Sequence, residues 1–151
     1  MEPGGKFIEI LLADDDADDR AFFREALEES GIPSKLTTVV DGEKLTSYLS
    51  TVKNPPPPDI IFLDINMPFK DGKACLREIR NDDKFRNIPV IMFSTSTYAG
   101  DIEEAFENGA SLYISKADFF ENEKSMLRRL FSHNWNENML NVAKDRFVFR
   151  S

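Results

Sequence analysis

The sequence has little cysteine and histidine, and it has no long apolar run. Cys75 is the only cysteine among the 151 residues, so the chain cannot form an internal disulfide, which agrees with a reducing compartment. His133 is the only histidine, which excludes a metal cluster built from several histidines. No stretch approaches the roughly 20 apolar residues of a membrane span, and residues 1–6 lack the basic start and apolar core of a secretory signal. We therefore expect a cytoplasmic protein without a membrane partner.

Positive charge is also scarce. The chain has 19 Lys and Arg residues against 27 Asp and Glu residues, a net charge of −8, and most of the acidic excess falls within residues 1–30. Affinity for a phosphate backbone depends on clustered Lys and Arg side chains, so this balance argues against a nucleic-acid partner. The length of 151 residues fits one ordinary domain with a hydrophobic core and short ends.

Apolar runs alternate with amphipathic segments from about residue 7 to about residue 133. This alternation predicts an α/β fold, a doubly wound five-stranded parallel sheet with helices on both faces. The predicted strands are Phe7–Ala13, Leu36–Val40, Ile60–Asp64, Val90–Ser94 and Leu112–Ser115. The first helix is predicted to end at Gly31, and the other helices cover about 43–51, 72–81, 99–108 and 118–132.

The sequence divides into a central domain and two ends. Residues 1–6 are predicted to be disordered, residues 7–133 form the domain, and residues 134–151 form a C-terminal extension. Pro55–Pro58 is interpreted as a stiff spacer before the third strand, because polyproline cannot continue a helix. The extension ends in a strand-like stretch, Phe147–Phe149, which either adds to an edge of its own sheet or pairs with a second molecule to give a homodimer.

Asp64 is the most informative single residue. It follows the apolar run Ile60–Leu63 and precedes Ile65-Asn66-Met67-Pro68, in which the proline marks the exit into a loop. The carboxylate is therefore predicted at the C-terminal end of a buried parallel strand. Ligands and chemistry collect at this edge of open α/β sheets, so the position indicates a functional carboxylate.

A second group of carboxylates follows the first strand, at residues 14–16. A parallel sheet would bring this group beside Asp64, and crowded carboxylates repel one another unless a cation neutralises them. An oxygen-only ligand set suits Mg²⁺, which we predict to bind at Asp14 and Asp15. The neighbouring acidic residues are interpreted as caps and charges at the start of the first helix: Asp16, Asp18 and Asp19.

Two further strand ends place a hydroxyl and an ammonium on the same edge, at Ser94 and Lys116. Alone, each is a weak signal, because a serine there is usually a turn former and a lysine is usually solvated. Together with the carboxylates they indicate a phosphoryl site. Asp64 would be the nucleophile, a metal ion would offset charge on the phosphoryl oxygens, and the two donors would hold the transferred group.

At this point the chain resembles the receiver domain of two-component response regulators, over roughly residues 7 to 131. The resemblance rests on motifs that occur in the family's order: Asp14-Asp15, Asp64-Ile65-Asn66-Met67-Pro68 with Asp71-Gly72, Ser94-Thr95, and Lys116. It implies the flavodoxin-like strand order 2-1-3-4-5. It also implies that Asp64 takes the phosphoryl group from a phosphohistidine.

The resemblance implies a ligand for each position of a magnesium site. Asp15, Asp64 and the backbone carbonyl of Asn66 would bind Mg²⁺ directly, and Asp14 would bind it through water. These four positions of the sequence match the family's motif.

The resemblance also assigns the donors and a switch. Ser94 would turn its hydroxyl to the phosphate, Lys116 would pair with it, and Tyr113 would be the ring that moves inward when Ser94 shifts. Receivers commonly follow this lysine with a cis proline, whereas Ala117 follows Lys116 here. A cis non-proline bond costs roughly 3 kcal/mol, so we expect a trans bond and a rearranged loop after the fifth strand.

The expected function is that of a stand-alone, single-domain receiver similar to chemotaxis regulators. It would accept a phosphoryl group from a sensor histidine kinase or a phosphotransfer protein and signal by docking to a downstream protein. The Ser94-Thr95-Ser96 run and the Lys116-Ala117 step resemble a subgroup of receivers, some of which serve phytochrome-like kinases. A classical enzyme is not expected, although phosphorylation from small phosphodonors and slow autodephosphorylation are. The alternative is an interaction module with a receiver fold that works without phosphorylation.

Overall fold

The computed structural model describes residues 7–51 and 57–151. Residues 1–6, predicted to be disordered, and the first half of the predicted proline spacer lie outside the described residues. Five parallel strands form one sheet in the order β2-β1-β3-β4-β5. Their bounds are β1 Ile8–Ala13, β2 Ser34–Val39, β3 Ile60–Leu63, β4 Val90–Ser94 and β5 Leu112–Ser115. The predicted parallel sheet and its strand order are confirmed.

Helices connect the strands and cover both faces of the sheet. Their bounds are α1 Ala17–Ser30, α2 Gly42–Thr51, α3 Gly72–Asn81, α4 Ala99–Glu107, α5 Lys116–Leu130 and α6 Trp135–Asn138, followed by a 3-10 turn at Lys144–Arg146. Helix α1 begins after Asp16, whose side chain accepts a hydrogen bond from the Asp19 amide, so the predicted cap at Asp16 is confirmed. It ends at Gly31, which adopts a φ of 75°, a left-handed conformation that suits glycine. Within the described part of the chain, each helix is too short or too polar to cross a bilayer.

The sheet has a hydrophobic core on each of its faces. On one face, α1 and α5 pack on the strands around an aromatic cluster of Phe23, Phe62, Phe93 and Phe119. On the other face, buried side chains of α2, α3 and α4 pack on the strands, and Cys75 lies among them. Burial raises the pKa of the Cys75 thiol to about 11, so this residue acts as a small packed side chain, as predicted.

Helix α5 follows β5 without a connecting loop. In place of a loop, a helical segment follows Lys116 and is kinked at Asn122, whose backbone is not helical. The helix begins at Lys116 and the strand ends at Ser115, so the prediction of a helix starting near residue 118 is wrong. The physical reason is a cap: Ser115 has an extended backbone, and its side chain accepts a hydrogen bond from the Asp118 amide at 3.5 Å. Lys116 is therefore held by regular structure on both sides.

The C-terminal residues return to the sheet beside β5. Val148 forms a parallel bridge with Tyr113, and the backbone of Phe147 and Phe149 bonds to Tyr113 on either side of that bridge. The Phe147 side chain is only 2% exposed and packs with the core that contains Cys75. Residues 147–149 thus lie against the free edge of the chain's own sheet.

Candidate functional site

Asp64 lies at the C-terminal end of β3, where the sheet edge meets the start of α3. Its amide donates to the Ala13 carbonyl at 3.0 Å, and its Oδ1 accepts a hydrogen bond from the Asn66 amide at 3.3 Å. The side chain is almost fully buried, with the residue 5% exposed. A Cβ atom at Gly72 would collide with the backbone carbonyl of Asp64, so only glycine lets α3 begin this close to the carboxylate.

The two predicted metal ligands that follow β1 differ in their environment. Asp14 is fully buried and its Oδ1 accepts a hydrogen bond from the Asp16 amide at 3.0 Å. Asp15 is exposed to solvent. One carboxylate oxygen of Asp14, one of Asp15 and one of Asp64 all lie within 4.8 Å of one another. The structure therefore brings the three predicted carboxylates together at one point, with one side open to solvent.

Lys116 is the cation that this cluster contacts. The residue is 3% exposed, and its Nζ lies 2.8 Å from Asp14 Oδ2, 2.8 Å from Asp19 Oδ2 and 3.1 Å from Asp64 Oδ2. The ammonium also sits over the Phe93 ring, 5.6 Å from its centroid. One ammonium is thus shared among three carboxylates in a buried site.

The cluster shifts the pKa values of its members. Burial is the largest cause that raises the pKa of Asp64 from 3.8 to about 6; the Lys116 ammonium opposes this rise and the charge of Asp14 adds to it. For Lys116, burial alone would lower the pKa, but hydrogen bonds and charges from Asp14, Asp19 and Asp64 outweigh it and the pKa is raised. At neutral pH the folded chain therefore holds Asp64 ionised only at a cost.

The donor set fits a hard divalent cation. Asp14 Oδ2 is buried, and although it lies close to the Lys116 ammonium it has no hydrogen-bond partner with acceptable geometry in residues 7–51 and 57–151. Such a buried oxygen retains capacity for a further ligand. The three ligands are all carboxylates, and Mg²⁺ or Mn²⁺ prefer oxygen ligands, whereas Zn²⁺ favours nitrogen and sulfur. The residues present thus fit a divalent metal site completed by water.

Ser94 and Tyr113 lie on β4 and β5, the two strands that follow β3 in the sheet. Ser94 is fully buried at the end of β4, and its hydroxyl oxygen accepts a hydrogen bond from the Ser96 amide at 3.1 Å. The Tyr113 ring, which the resemblance to receivers implies to move inward, is already buried here, and its hydroxyl donates to the Ser96 carbonyl at 2.8 Å. Burial raises the pKa of Tyr113, so its hydroxyl stays protonated. Ser96 therefore links the two predicted switch residues.

Sequence reasoning missed the parts played by Asp19 and Ser96. Asp19 was interpreted only as a charge in the first turn of α1, but its carboxylate pairs with Lys116. The available signal was its place one turn after the acidic run, on a helix that starts at the same sheet edge. Ser96 also donates from its hydroxyl to Asp101 Oδ2 at 2.6 Å, and Lys73 pairs with the same Asp101 carboxylate. The Ser96–Asp101 contact is local, five residues apart at the start of α4, whereas Lys73 lies 28 residues from Asp101 and nothing local in the sequence predicts that pairing.

Comparisons with known proteins agree with this geometry. The family profile described as the response regulator receiver domain matches residues 10–128. Response regulator Rcp1 of Synechocystis sp. is 32% identical over 111 residues, which cover 72% of this chain and 76% of Rcp1.

Two solved structures are similar in fold and sequence. The phosphorylated cyanobacterial phytochrome response regulator RcpA superimposes with a TM-score of 0.75 at 32% identity, covering 83% of this chain and 94% of that one. The Mn²⁺-bound form of response regulator Rcp1 superimposes with a TM-score of 0.74 at 29% identity, covering 90% of this chain and 97% of that one. The profile match covers most of the chain, and the sheet order and the position of the acidic cluster are those that the family's motifs imply. This chain belongs to the response regulator receiver domain family.

Proposed function

We propose that Asp64 accepts a phosphoryl group from the phosphohistidine of a sensor histidine kinase or a phosphotransfer protein, in a reaction that depends on Mg²⁺. The observation that carries the proposal is the buried Asp64 carboxylate, which has an oxygen within 4.8 Å of Asp14 and Asp15 oxygens and another contact to the Lys116 ammonium. An Asp64 oxygen attacks phosphorus and forms an acyl phosphate. The phosphorus–nitrogen bond breaks, its electron pair goes to the imidazole, and the imidazole takes up a proton.

The acidic residues would hold the cation. Asp15, Asp64 and the backbone carbonyl of Asn66 are proposed as direct ligands, and Asp14 as a ligand through water. When bound, the cation would offset negative charge on the phosphoryl oxygens. The buried Asp14 Oδ2, which faces only the ammonium that Lys116 shares among three carboxylates, supports this assignment, as does the Mn²⁺ named for the Rcp1 structure.

The donors would hold the phosphoryl group once it has been transferred. Lys116 Nζ lies 3.1 Å from Asp64 Oδ2, so a small rearrangement places the ammonium on a phosphoryl oxygen. Ser94 accepts a hydrogen bond from the Ser96 amide, which leaves its own hydroxyl proton free to be donated. A shift of Ser94 would then reach Tyr113 through Ser96.

The phosphorylated chain is proposed to signal by docking to a downstream protein. An acyl phosphate adds negative charge and three acceptor oxygens at the sheet edge, which biases the nearby Ser94 and Ser96 contacts. We propose a kinase of the phytochrome-like class as the phosphodonor. RcpA, which is named as a phosphorylated phytochrome response regulator, supports this choice.

Labelling with a small phosphodonor tests the proposal. The wild-type chain, incubated with radiolabelled acetyl phosphate and Mg²⁺, is expected to incorporate label, and a chelator is expected to prevent it. Asp64→Asn is expected to abolish the label, whereas the control Asp83→Asn, whose side chain is 89% exposed, is expected to keep it. Label that persists in Asp64→Asn overturns the assignment. A wild-type chain that takes no label from acetyl phosphate or from a partner kinase favours the interaction module that works without phosphorylation.

A further inference from the structure

The last residues of the chain occupy the surface formed by α4, β5 and α5. Strand β5 is at the edge of the sheet, so the side away from β4 has no strand partner of its own. Residues 143–151, called here the strap, fill this side. The Tyr113 amide donates to the Phe147 carbonyl at 3.0 Å, and the Phe149 amide donates to the Tyr113 carbonyl at 2.9 Å. The strap therefore takes both backbone groups that Tyr113 turns toward the free edge.

Side chains of the strap reach both neighbouring helices. The Phe147 ring lies 5.2 Å from the Phe106 ring of α4 and 6.3 Å from the Tyr113 ring, measured between centroids. On the α5 side, the Arg129 guanidinium lies 4.5 Å from the centroid of the Phe149 ring and donates to the Arg150 carbonyl at 2.7 Å. The strap thus spans from α4 across β5 to α5.

Two polar contacts complete this attachment. Lys144 pairs with Glu103 of α4 at 2.7 Å, and the Ser151 amide donates to Asp118 Oδ2 of α5 at 2.8 Å. Both ends of the strap are therefore fixed to a helix.

The contacts that hold the strap are nevertheless weak enough for it to detach while the rest of the domain stays folded. Phe147 is the only buried residue of the strap, and the others are exposed or half-buried. The Lys144–Glu103 pair is solvent-exposed, and exposed ion pairs contribute little to stability. A segment held by one buried side chain, two edge hydrogen bonds and a few contacts to exposed polar groups opens far more often than the whole domain unfolds.

The strap also contacts a residue that is linked to the phosphoryl site. The backbone amide and carbonyl of Tyr113 are hydrogen-bonded to the strap, and its side-chain hydroxyl donates to the Ser96 carbonyl. Ser96 in turn donates from its amide to Ser94. A rearrangement of Ser94 therefore has a continuous hydrogen-bonded route to the strap.

We propose that the strap is an intramolecular competitor for the α4–β5–α5 surface. A partner protein that presents an extended segment with an aromatic side chain would dock there, by adding a strand to β5, only after the strap has left. The proposal rests on the proposed function in one respect, since it concerns how a downstream protein reads the receiver. The contacts between the strap and the α4–β5–α5 surface are present in the unphosphorylated chain.

Amide hydrogen exchange of the wild-type chain tests whether the strap opens by itself. The Phe149 and Tyr113 amides are expected to have similar protection factors, which are at least about 100-fold lower than that of the Ile61 amide. The Ile61 amide donates to the Pro89 carbonyl inside the sheet. Protection of Phe149 and Tyr113 equal to that of Ile61 overturns the proposal, because the strap would then leave only when the domain unfolds. This arm needs no variant and no phosphodonor.

A peptide added in trans tests the competition. A fluorescent peptide of residues 141–151 is expected to bind the full-length Phe147→Ala variant about 10-fold or more tightly than the wild-type chain, because the wild-type strap fills the surface. The same peptide with Phe147→Ala is expected to bind neither. Leu140→Ala, a change at an exposed position just before the strap, is expected to behave as wild type.

Two results contradict the competition. Equal affinity of the peptide for wild type and Phe147→Ala shows that the strap does not block the surface. A concentration-dependent dimer of the wild-type chain in sedimentation, lost in Phe147→Ala, shows that the strap serves a second copy instead. Both arms are read without a phosphoryl group, so a failure of phosphorylation at Asp64 leaves their outcome unchanged and is recognised separately.

Discussion

Two regions of this protein are held by opposite kinds of interaction. At the edge where the strands end, Asp14, Asp64 and Lys116 are buried charges that contact one another. At the free side of β5, buried aromatic rings of Tyr113 and Phe147 pack together with half-buried Phe106. The first region pays desolvation for every charge it buries, whereas the second gains from the removal of apolar surface from water.

The difference shows what each region is suited to. The acidic edge has more carboxylates than ammonium groups, and burial raises the pKa of Asp64 to about 6, so the folded chain is less stable for having it ionised. Such a cost is expected where a ligand, here a cation and a phosphoryl group, supplies the missing interactions. The aromatic region is complete without a ligand. Substitution in the two regions should therefore change stability in opposite directions.

The largest effect is expected in the aromatic region. Phe147→Ala should lower the free energy of unfolding by about 2–3 kcal/mol, at the low end for a buried phenylalanine, because the strap can detach rather than leave a cavity. Urea unfolding followed by circular dichroism measures the change. The loss should be the same at pH 5 and pH 7.5 and with or without Mg²⁺.

A matched core position serves as the control for this prediction. Phe93 is fully buried in β4, which is paired on both sides, so Phe93→Ala should cost about 3–5 kcal/mol. A loss at Phe147 as large as that at Phe93 would show that the strap is an integral part of the core. An unchanged free energy of unfolding in Phe147→Ala would show that the strap is not packed on the folded domain.

A smaller effect of opposite sign is expected at the acidic edge. The folded-state pKa of Asp64 is raised from 3.8 to about 6, so its ionisation costs nothing below pH 3.8. The cost grows between pH 3.8 and about 6 and is fully present above about 6. The shift corresponds to about 3 kcal/mol and already includes the attraction of Lys116. Part of it is offset because asparagine has one side-chain oxygen and cannot serve both the Asn66 amide and Lys116, as the two oxygens of Asp64 do. Asp64→Asn should therefore stabilise the metal-free chain by about 1–2 kcal/mol at pH 7.5.

The pH dependence distinguishes this effect from simple repacking. The gain from Asp64→Asn should stay nearly constant between pH 7.5 and about 6 and shrink as pH falls from about 6 toward 3.8, the pKa of the carboxyl in the unfolded chain. Unfolding curves collected across this range give the difference directly. A gain that is independent of pH, or a loss at pH 7.5, would contradict the assignment of a strained carboxylate.

Much of the acidic edge could be predicted from the sequence because its signals are local. Asp14 and Asp64 each follow an apolar run that only a buried strand explains, and the parallel sheet then brings both to one edge. The strand order 2-1-3-4-5 was implied by resemblance and is confirmed by the structure. The start of α5 was predicted two residues late, because the helix depends on a cap at Ser115 that also ends β5.

Contacts between distant elements could not be predicted in this way. The pairing of Asp19 with Lys116 joins α1 to α5 across 97 positions of sequence, and neither residue's neighbours indicate the other. The Phe147–Phe149 stretch showed strand character, but a free edge on its own sheet and one on a second molecule offer the same backbone groups. The alternation of side chains predicts a strand without choosing its partner.

The account's central claim is that Asp64 and the carboxylates beside it form a cation-dependent phosphoacceptor. Titration calorimetry of Mg²⁺ with and without beryllofluoride, a mimic of the phosphoryl group, tests it most directly. The account predicts one Mg²⁺ per wild-type chain, about 10-fold or more weaker binding in Asp15→Asn, and beryllofluoride binding that requires both Mg²⁺ and Asp64. Beryllofluoride binding that survives in Asp64→Asn, or Mg²⁺ affinity that is unchanged in Asp15→Asn, would contradict it.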